Sequence, residues 1–321
     1  MPNDSDIFAD IQWMQHQIEA QQARREASME PEDDDDDDDD SCAEFTYDMP
    51  TGTGKSFLQL WEIHAHFPNE RVLVVFPRLS LLSQFYRHYL QPRLPTNRPV
   101  LLVCTDQKDV KASTTEEQEG HLEGADAKKA LRKSVDTPSL VVLTTYSSLP
   151  VVLDTVAAEL DDDDDPPDAF DAIIFDEAHH RAAPCTQEIL EKHADKIGAM
   201  INFSATPSDE CGGERYVYPF YRAIADRVIR DFDLHLVLVD KATMKRSFPQ
   251  NVARIGTLTG NTKCMAFTAY SEADKDHRTN VRDAVAAWKL ELVAWNVQGI
   301  TASVKPDERR AILDRFQKDT T

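Results

Sequence analysis

Five short apolar runs decide what this chain can fold into. Residues 71–76, 99–104, 140–144, 172–175 and 200–204 are each four to six residues long, nearly free of polar interruptions and rich in valine, isoleucine and leucine. An amphipathic strand with one wet face alternates, whereas a strand covered on both faces does not. Runs of this kind, separated by helical or loop segments, imply an α/β fold with a parallel sheet sandwiched between helices. Between the first two, Leu79, Leu82, Tyr86 and Tyr89 fall on one helical face until Pro92 ends the pattern.

A sixth strand, Glu44-Phe45-Thr46-Tyr47, alternates and leads into Asp48-Met49-Pro50-Thr51-Gly52-Thr53-Gly54-Lys55-Ser56. Residues 57–67 then favour helix until Pro68. Strand, glycine-rich loop and helix form the setting of a phosphate-binding loop. Gly52 and Gly54 let the backbone approach oxyanions, so that amide N–H groups from Thr51 to Ser56 can face them. Lys55 offers a point charge to terminal phosphates, and the Ser56 hydroxyl a ligand to the Mg2+ that accompanies the nucleotide. Met49 stands where the general pattern has its first glycine.

Asp176-Glu177 directly follows the fourth apolar run, which puts two carboxylates at the sheet edge where α/β folds bind ligands. Asp176 is assigned to the metal and Glu177 to the attacking water. His179, His180 and Cys185 lack a fourth ligand at zinc spacing. His179 is instead expected to couple the acidic pair to Ser204-Ala205-Thr206-Pro207, which closes the fifth run.

Residues 49–56, 176–179 and 204–206 resemble motifs I, II and III of superfamily 2 helicases, in the DEAD/DEAH-box-like branch that includes restriction-enzyme translocases. That branch does not use the first glycine, which accounts for Met49. Residues 74–84 resemble motif Ia and 144–149 motif Ib, so the resemblance makes Arg78, Thr144 and Thr145 candidate contacts to a nucleic-acid backbone. His16-Gln17-Ile18-Glu19-Ala20 faintly resembles the segment in which a glutamine reads adenine; a plain polar helix face is the other reading of Gln17. The resemblance implies a RecA-like P-loop domain, ATP with Mg2+, and DNA in preference to RNA. In the second half it thins: Phe267-Thr268-Ala269-Tyr270 resembles motif IV and Gly299-Ile300-Thr301 the strand that follows it. No counterpart of motifs V and VI is present, so a partial second RecA-like domain, C-terminally truncated and poor in turnover, is expected.

Four segments follow from this reading: residues 1–42, a helix with Ile7, Ile11, Met14 and Ile18 on one face and then an acidic tract; 43–210, the ATP-binding domain; 211–262, a connector; and 263–321, the partial second domain. Strands are expected at 263–268 and 292–297, and helices at 274–290 and 307–317. Residues 105–138 read as a polar helical excursion without chemistry.

A formal net charge of −22 argues against a nucleic-acid partner until its distribution is considered. Asp33–Asp40 and Asp161–Asp165 carry thirteen of the negative charges, leaving −9 for the rest. Such runs repel themselves and suit solvated surface inserts. Five scattered cysteines without a C-x-x-C pair suggest neither a disulfide framework nor a zinc site. No apolar run is long enough to span a bilayer, and the N-terminus lacks the features of a signal peptide, so a membrane-free location in cytoplasm or nucleus is expected. Oligomeric state is not legible. The expected function is an ATP-dependent helicase or translocase. A nucleotide switch that binds nucleic acid without unwinding it, or a non-catalytic product, would share the same motifs.

Overall fold

The computed structural model describes residues 8, 11–28, 42–94, 98–104, 121–122, 124–134, 137, 139–160, 168–207 and 211–232. Of the remainder it describes only 251, 252, 254–256, 258, 285, 289, 304 and 306–318. The chain divides into two compact units, Met1–Asp231 and Phe232–Thr321. In the first, the elements run α1 (Gln15–Ala27), β1 (Ala43–Asp48), α2 (Lys55–Trp61), β2 (Val72–Phe76), α3 (Leu79–Phe85), β3 (Val100–Val103), β4 (His121–Leu122), α4 (Gly124–Ser134), β5 (Val141–Thr145), α5 (Leu149–Leu160), β6 (Ala172–Asp176), α6 (Pro184–Lys192), β7 (Ala199–Ser204), β8 (Glu214–Val217) and α7 (Phe220–Ala225). In the second, α8 spans Pro306–Lys318 and covers the helix expected at 307–317. Both acidic tracts, the strands expected at 263–268 and 292–297, and nearly all of the helix at 274–290 lie outside the described residues.

Eight strands form one sheet in the order β4-β3-β5-β2-β6-β7-β1-β8, and every pairing is parallel. The five apolar runs are β3, β5, β2, β6 and β7, which stand next to one another in it. Their lack of alternation has the physical origin expected: successive residues feed two cores. Val72, Val74 and Phe76 join Val141, Leu143, Ile174 and Ile201 under Ala20, Leu58, Leu82 and Phe85 of α1, α2 and α3. Leu73 and Val75 join Val142, Ile173 and Phe175 under Leu131, Val152, Val156 and Ile189 of α4, α5 and α6. At about 25 cal/mol per Å² of apolar surface removed from water, these two layers dominate the stability of the unit.

β1 alternates for a different reason. Phe45 and Tyr47 enter the first core, whereas Glu44 and Thr46 face Asn202 and Arg181 on the other side. Two helices also change pitch before their prolines. α2 continues as a π-helix, Glu62–His66, and α3 as a π-helix, Tyr86–Leu90, followed by a 3-10 turn, Gln91–Arg93. Carbonyls freed after α2 are taken by the buried Arg98 guanidinium, which donates to Ile63 O, to Phe67 O at 2.8 Å and to Glu70 O at 3.1 Å.

Three expectations are corrected. The N-terminal helix starts at Gln15, so Ile11 and Met14 precede it; Met14 and Ile18 are exposed, Ile7 lies outside the described residues, and the inward face is His16, Gln17, Ala20, Gln21 and Arg24. Polar side chains win that face because the surface beneath offers polar partners: Thr53 O to His16 and Gln17, and the Glu62 carboxylate to Arg24. Within 105–138, β4 adds an edge strand ahead of α4. Residues 214–225, expected in a connector, form β8 paired with β1 and then α7. Among the described residues, no helix is long and apolar enough to cross a membrane.

Candidate functional site

Because every strand runs the same way, the loops after β1, β5, β6 and β7 open on one edge of the sheet. The glycine-rich loop is pinned there at its first residue: Met49 is fully buried, and its N–H donates to Ser204 O at 2.9 Å. Gly52 and Gly54 sit at φ 91 and 85, in the left-handed region that side-chain-bearing residues avoid. Thr53 closes the loop from inside, its hydroxyl donating to Pro50 O at 2.7 Å. Its carbonyl accepts from Gln17 Nε2 at 3.2 Å and lies 2.9 Å from His16 Nε2. Thr51 and Gly52 remain exposed, and a methyl group on Gly52 would meet nothing within 4 Å.

Lys55 folds back across the loop, donating from Nζ to Met49 O at 3.0 Å and Pro50 O at 3.3 Å. Burial lowers its pKa, opposed by the carboxylates of Glu177, Asp176 and Asp48. An ammonium held by two neutral carbonyls among three carboxylates can exchange those carbonyls for a more strongly accepting anion. Ser56 follows on the first turn of α2, half-buried.

Asp176 ends β6, and its Oδ1 accepts from Gln59 Nε2 at 2.8 Å. Burial raises its pKa, and the Gln59 hydrogen bond works against that rise. Glu177 takes a left-handed backbone at φ 50, ψ 56, a conformation that costs a non-glycine residue about 1 kcal/mol or more and turns the chain sharply into a 3-10 turn, Ala178–Ala182. One Glu177 carboxylate oxygen lies 3.5 Å from His179 Nδ1, and the same nitrogen lies 3.2 Å from Ser204 Oγ. Ser204 Oγ in turn accepts from the N–H of the exposed Thr206 at 3.1 Å. Thus the acidic pair, His179 and the Ser204–Thr206 segment are one connected cluster at the sheet edge.

Four contributors to this arrangement were not singled out in the sequence. Gln59 lies four residues after Lys55 and three after Ser56, on the same helix face, which is the signal that could have found it. Tyr146 donates from its hydroxyl to Asp176 O at 3.0 Å and packs its ring near Phe175 and His180. Arg181 binds Glu44 and Asn202 and lies over the Phe175 ring at 5.0 Å, tying the turn after β6 to β1 and β7. His16 has no distinguishing pattern around it.

The nucleic-acid candidates separate. Arg78 is exposed at the start of α3. Thr144 is fully buried and its hydroxyl donates to Val103 O at 2.9 Å, so it holds β5 to β3 and offers nothing to a ligand. Its place inside β5, one residue short of the strand end, is the reason. Thr145, at that end, is nearly buried with its hydroxyl 3.0 Å from Ser147 Oγ.

The donor set fits Mg2+. Among the described residues no group of three or more His, Cys, Asp or Glu is placed around a common point. Magnesium, however, takes one or two carboxylates and leaves its other positions to phosphates and water. Asp176 offers a carboxylate, and beside it the Gln59 Oε1 is buried without a hydrogen-bond partner, an acceptor open to a hydrogen bond from a water molecule.

The sequence profile of the family described as type III restriction enzyme, res subunit, matches residues 10–209. No match is found among curated proteins. Among solved structures, the fold is similar to that of the ATP-dependent type ISP restriction-modification enzyme LlaBIII bound to DNA, at TM-score 0.52 and 21% identity over 77% of this chain. It is similar at TM-score 0.52 and 16% identity, over 97% of this chain, to a nuclease-deletion mutant of the type ISP enzyme LlaGI in complex with a DNA substrate mimic. The chain spans 18% of the first structure's chain and 30% of the second's.

Proposed function

Because the chain belongs to the type III restriction enzyme res subunit family, we propose that it is the helicase-like ATPase part of a DNA-acting motor. The observation that carries this reading is the convergence of Lys55, the Asp176–Glu177 pair and the His179–Ser204 link on one edge of a parallel sheet. In it, Gly52 to Lys55 receive the phosphates of ATP, Lys55 trading the Met49 and Pro50 carbonyls for phosphate oxygens. Ser56 and Asp176 would hold Mg2+, with Gln59 orienting the carboxylate. Magnesium held there would supply positive charge that offsets the negative charge of the phosphates. Glu177, at the left-handed turn that follows β6, takes a proton from the water that attacks the terminal phosphorus as the bond to the departing ADP oxygen breaks. His179 relays the state of that carboxylate to Ser204 and Thr206. Gln17, whose contact with the loop at Thr53 O supports the assignment, reads the base. Arg78 and Thr145 grip a nucleic-acid backbone; DNA is favoured over RNA because both similar structures are complexes with DNA or its mimic.

Nucleotide binding and turnover measured on the same preparations test this. Lys55→Ala should weaken binding of ATP with Mg2+. Glu177→Gln should bind as the parent does and lose turnover by about two to four orders of magnitude. A Glu177→Gln protein hydrolysing ATP at the parent rate would remove Glu177 from the chemistry.

A further inference from the structure

His16 and Gln17 both reach the Thr53 carbonyl, yet that carbonyl is a small anchor for a helix of 13 residues. Two other sets of contacts hold α1. Its C-terminal half is fixed by Arg24, which pairs with the buried Glu62 at 3.5 Å and lies over the Phe45 ring at 5.4 Å. Its N-terminal half, the half that bears Gln17, is fixed by β8, α7 and the residues next to them. Arg222 Nη2 donates to the two Glu19 carboxylate oxygens at 3.0 and 2.8 Å. The Tyr216 hydroxyl donates to His16 O at 2.9 Å and lies 3.4 Å from Glu19 Oε2. The His16 ring stacks on Tyr218 at 4.3 Å with 5° between planes, and the Arg222 guanidinium lies over the same tyrosine at 5.5 Å. Asp226 completes the set, accepting from the Tyr218 hydroxyl at 2.9 Å and lying 3.5 Å from Arg222 Nε.

We propose that Tyr216, Tyr218 and Arg222 are positioning residues for nucleotide-base recognition: they clamp the N-terminal half of α1 so that Gln17 stays at the glycine-rich loop. The proposal rests on the reading of Gln17 given above. A hydrogen bond from a side-chain amide discriminates one base from another only if its donor is held to within a few tenths of an ångström. Gln17 accepts at Oε1 from Met14 N–H at 3.0 Å, within its own helix, and donates from Nε2 to Thr53 O at 3.2 Å, so where its amide meets the loop follows the position of the helix. The clamp sits on the last stretch of the first unit, which ends at Asp231, so base recognition depends on the segment by which the chain leaves that unit.

The test is equilibrium binding of ATP, GTP and inorganic tripolyphosphate, each with Mg2+, to the full chain and its variants. Arg222→Ala and Glu19→Ala should each weaken ATP about three- to fivefold, the size of a partly exposed carboxylate–guanidinium pair, and leave tripolyphosphate unchanged. The double variant should lose less than the two single losses combined, because both substitutions remove the Arg222–Glu19 pair. Arg222→Lys, which keeps a charge facing Glu19, should fall between the parent and Arg222→Ala. Gln17→Ala should abolish the preference for ATP over GTP. Equal losses for ATP and tripolyphosphate would show that the clamp only supports the fold. Unchanged ATP binding in both singles, with discrimination lost in Gln17→Ala, would refute the clamp and leave the base reading standing. If Gln17→Ala keeps its preference for ATP, the base reading fails and the role given to the clamp fails with it.

Discussion

Gly54→Ala is the substitution from which the arrangement of loop and helix α1 can be measured most directly. At φ 85 an alanine carries left-handed strain of about 1–2 kcal/mol. Its methyl group would also lie 2.3 Å from Gln17 Nε2, inside any tolerable contact. Gln17 is the end of a movable side chain, so the loop need not break; the amide swings away and forgoes its bonds to Thr53 O and from Met14 N–H. Each is worth about 0.5–1.5 kcal/mol, which brings the expected loss to about 2–5 kcal/mol. Gly52→Ala supplies the control, because at φ 91 it carries comparable strain and its methyl group meets nothing within 4 Å. The stiffening of the unfolded chain by alanine is common to both and cancels in the comparison. Urea unfolding followed by tryptophan fluorescence should therefore rank Gly54→Ala below Gly52→Ala by about 1–3 kcal/mol. In a Gln17→Ala background that gap should close, since no amide remains to be displaced. A gap that persists there, or Gly52→Ala as costly as Gly54→Ala, would refute the contact between α1 and the loop.

Burial holds the Glu62 carboxyl up at about 7 against an ordinary 4.5, although Arg24 and the Tyr47 hydroxyl favour its charged form. A raised carboxyl binds its proton more tightly in the folded state, so its stabilisation is complete below pH 4.5 and is lost as pH climbs to 7; the change is of the order of 3 kcal/mol. Glu62→Gln should flatten that part of the stability–pH curve in urea titrations at pH 5 and 8, and an unaltered slope would assign it to other groups. Arg98→Met removes four donations to the carbonyls of Ile63, Phe67, Glu70 and Ser139 and should cost about 2–4 kcal/mol by thermal or urea unfolding. Arg78→Ala should weaken DNA binding alike for all sequences and reduce the dependence of log K on log salt by about one; a loss confined to certain sequences would contradict a backbone contact.

The parallel sheet was legible because burial on both faces leaves a mark that does not depend on context: Val72 to Phe76 and Val141 to Leu143 have no wet face to alternate against. The loop at Gly52–Ser56 and the pair at Asp176–Glu177 were legible for a related reason, since their chemistry is local and needs particular residue types at fixed spacing after a strand. Met49 became intelligible as a core residue once its neighbour strand was known to be β7. What the sequence left open is whatever depends on pairing across long separations. Only the fold brings Thr144 under Val103 and so removes it from the candidate contacts, puts Gln59 on Asp176, and joins Arg181 to Glu44 and Asn202. Residues 214–225 show the limit most clearly. A mostly exposed edge strand of four residues and a six-residue helix bury too little to impose a period on their sequence, and they are ordered by β1 and by α1, some 170 to 200 positions away. The amino-acid sequence determined the sheet and the local chemistry at its edge; tertiary structure decided which polar residues share a surface, because hydrogen bonds between distant segments leave no periodicity to read.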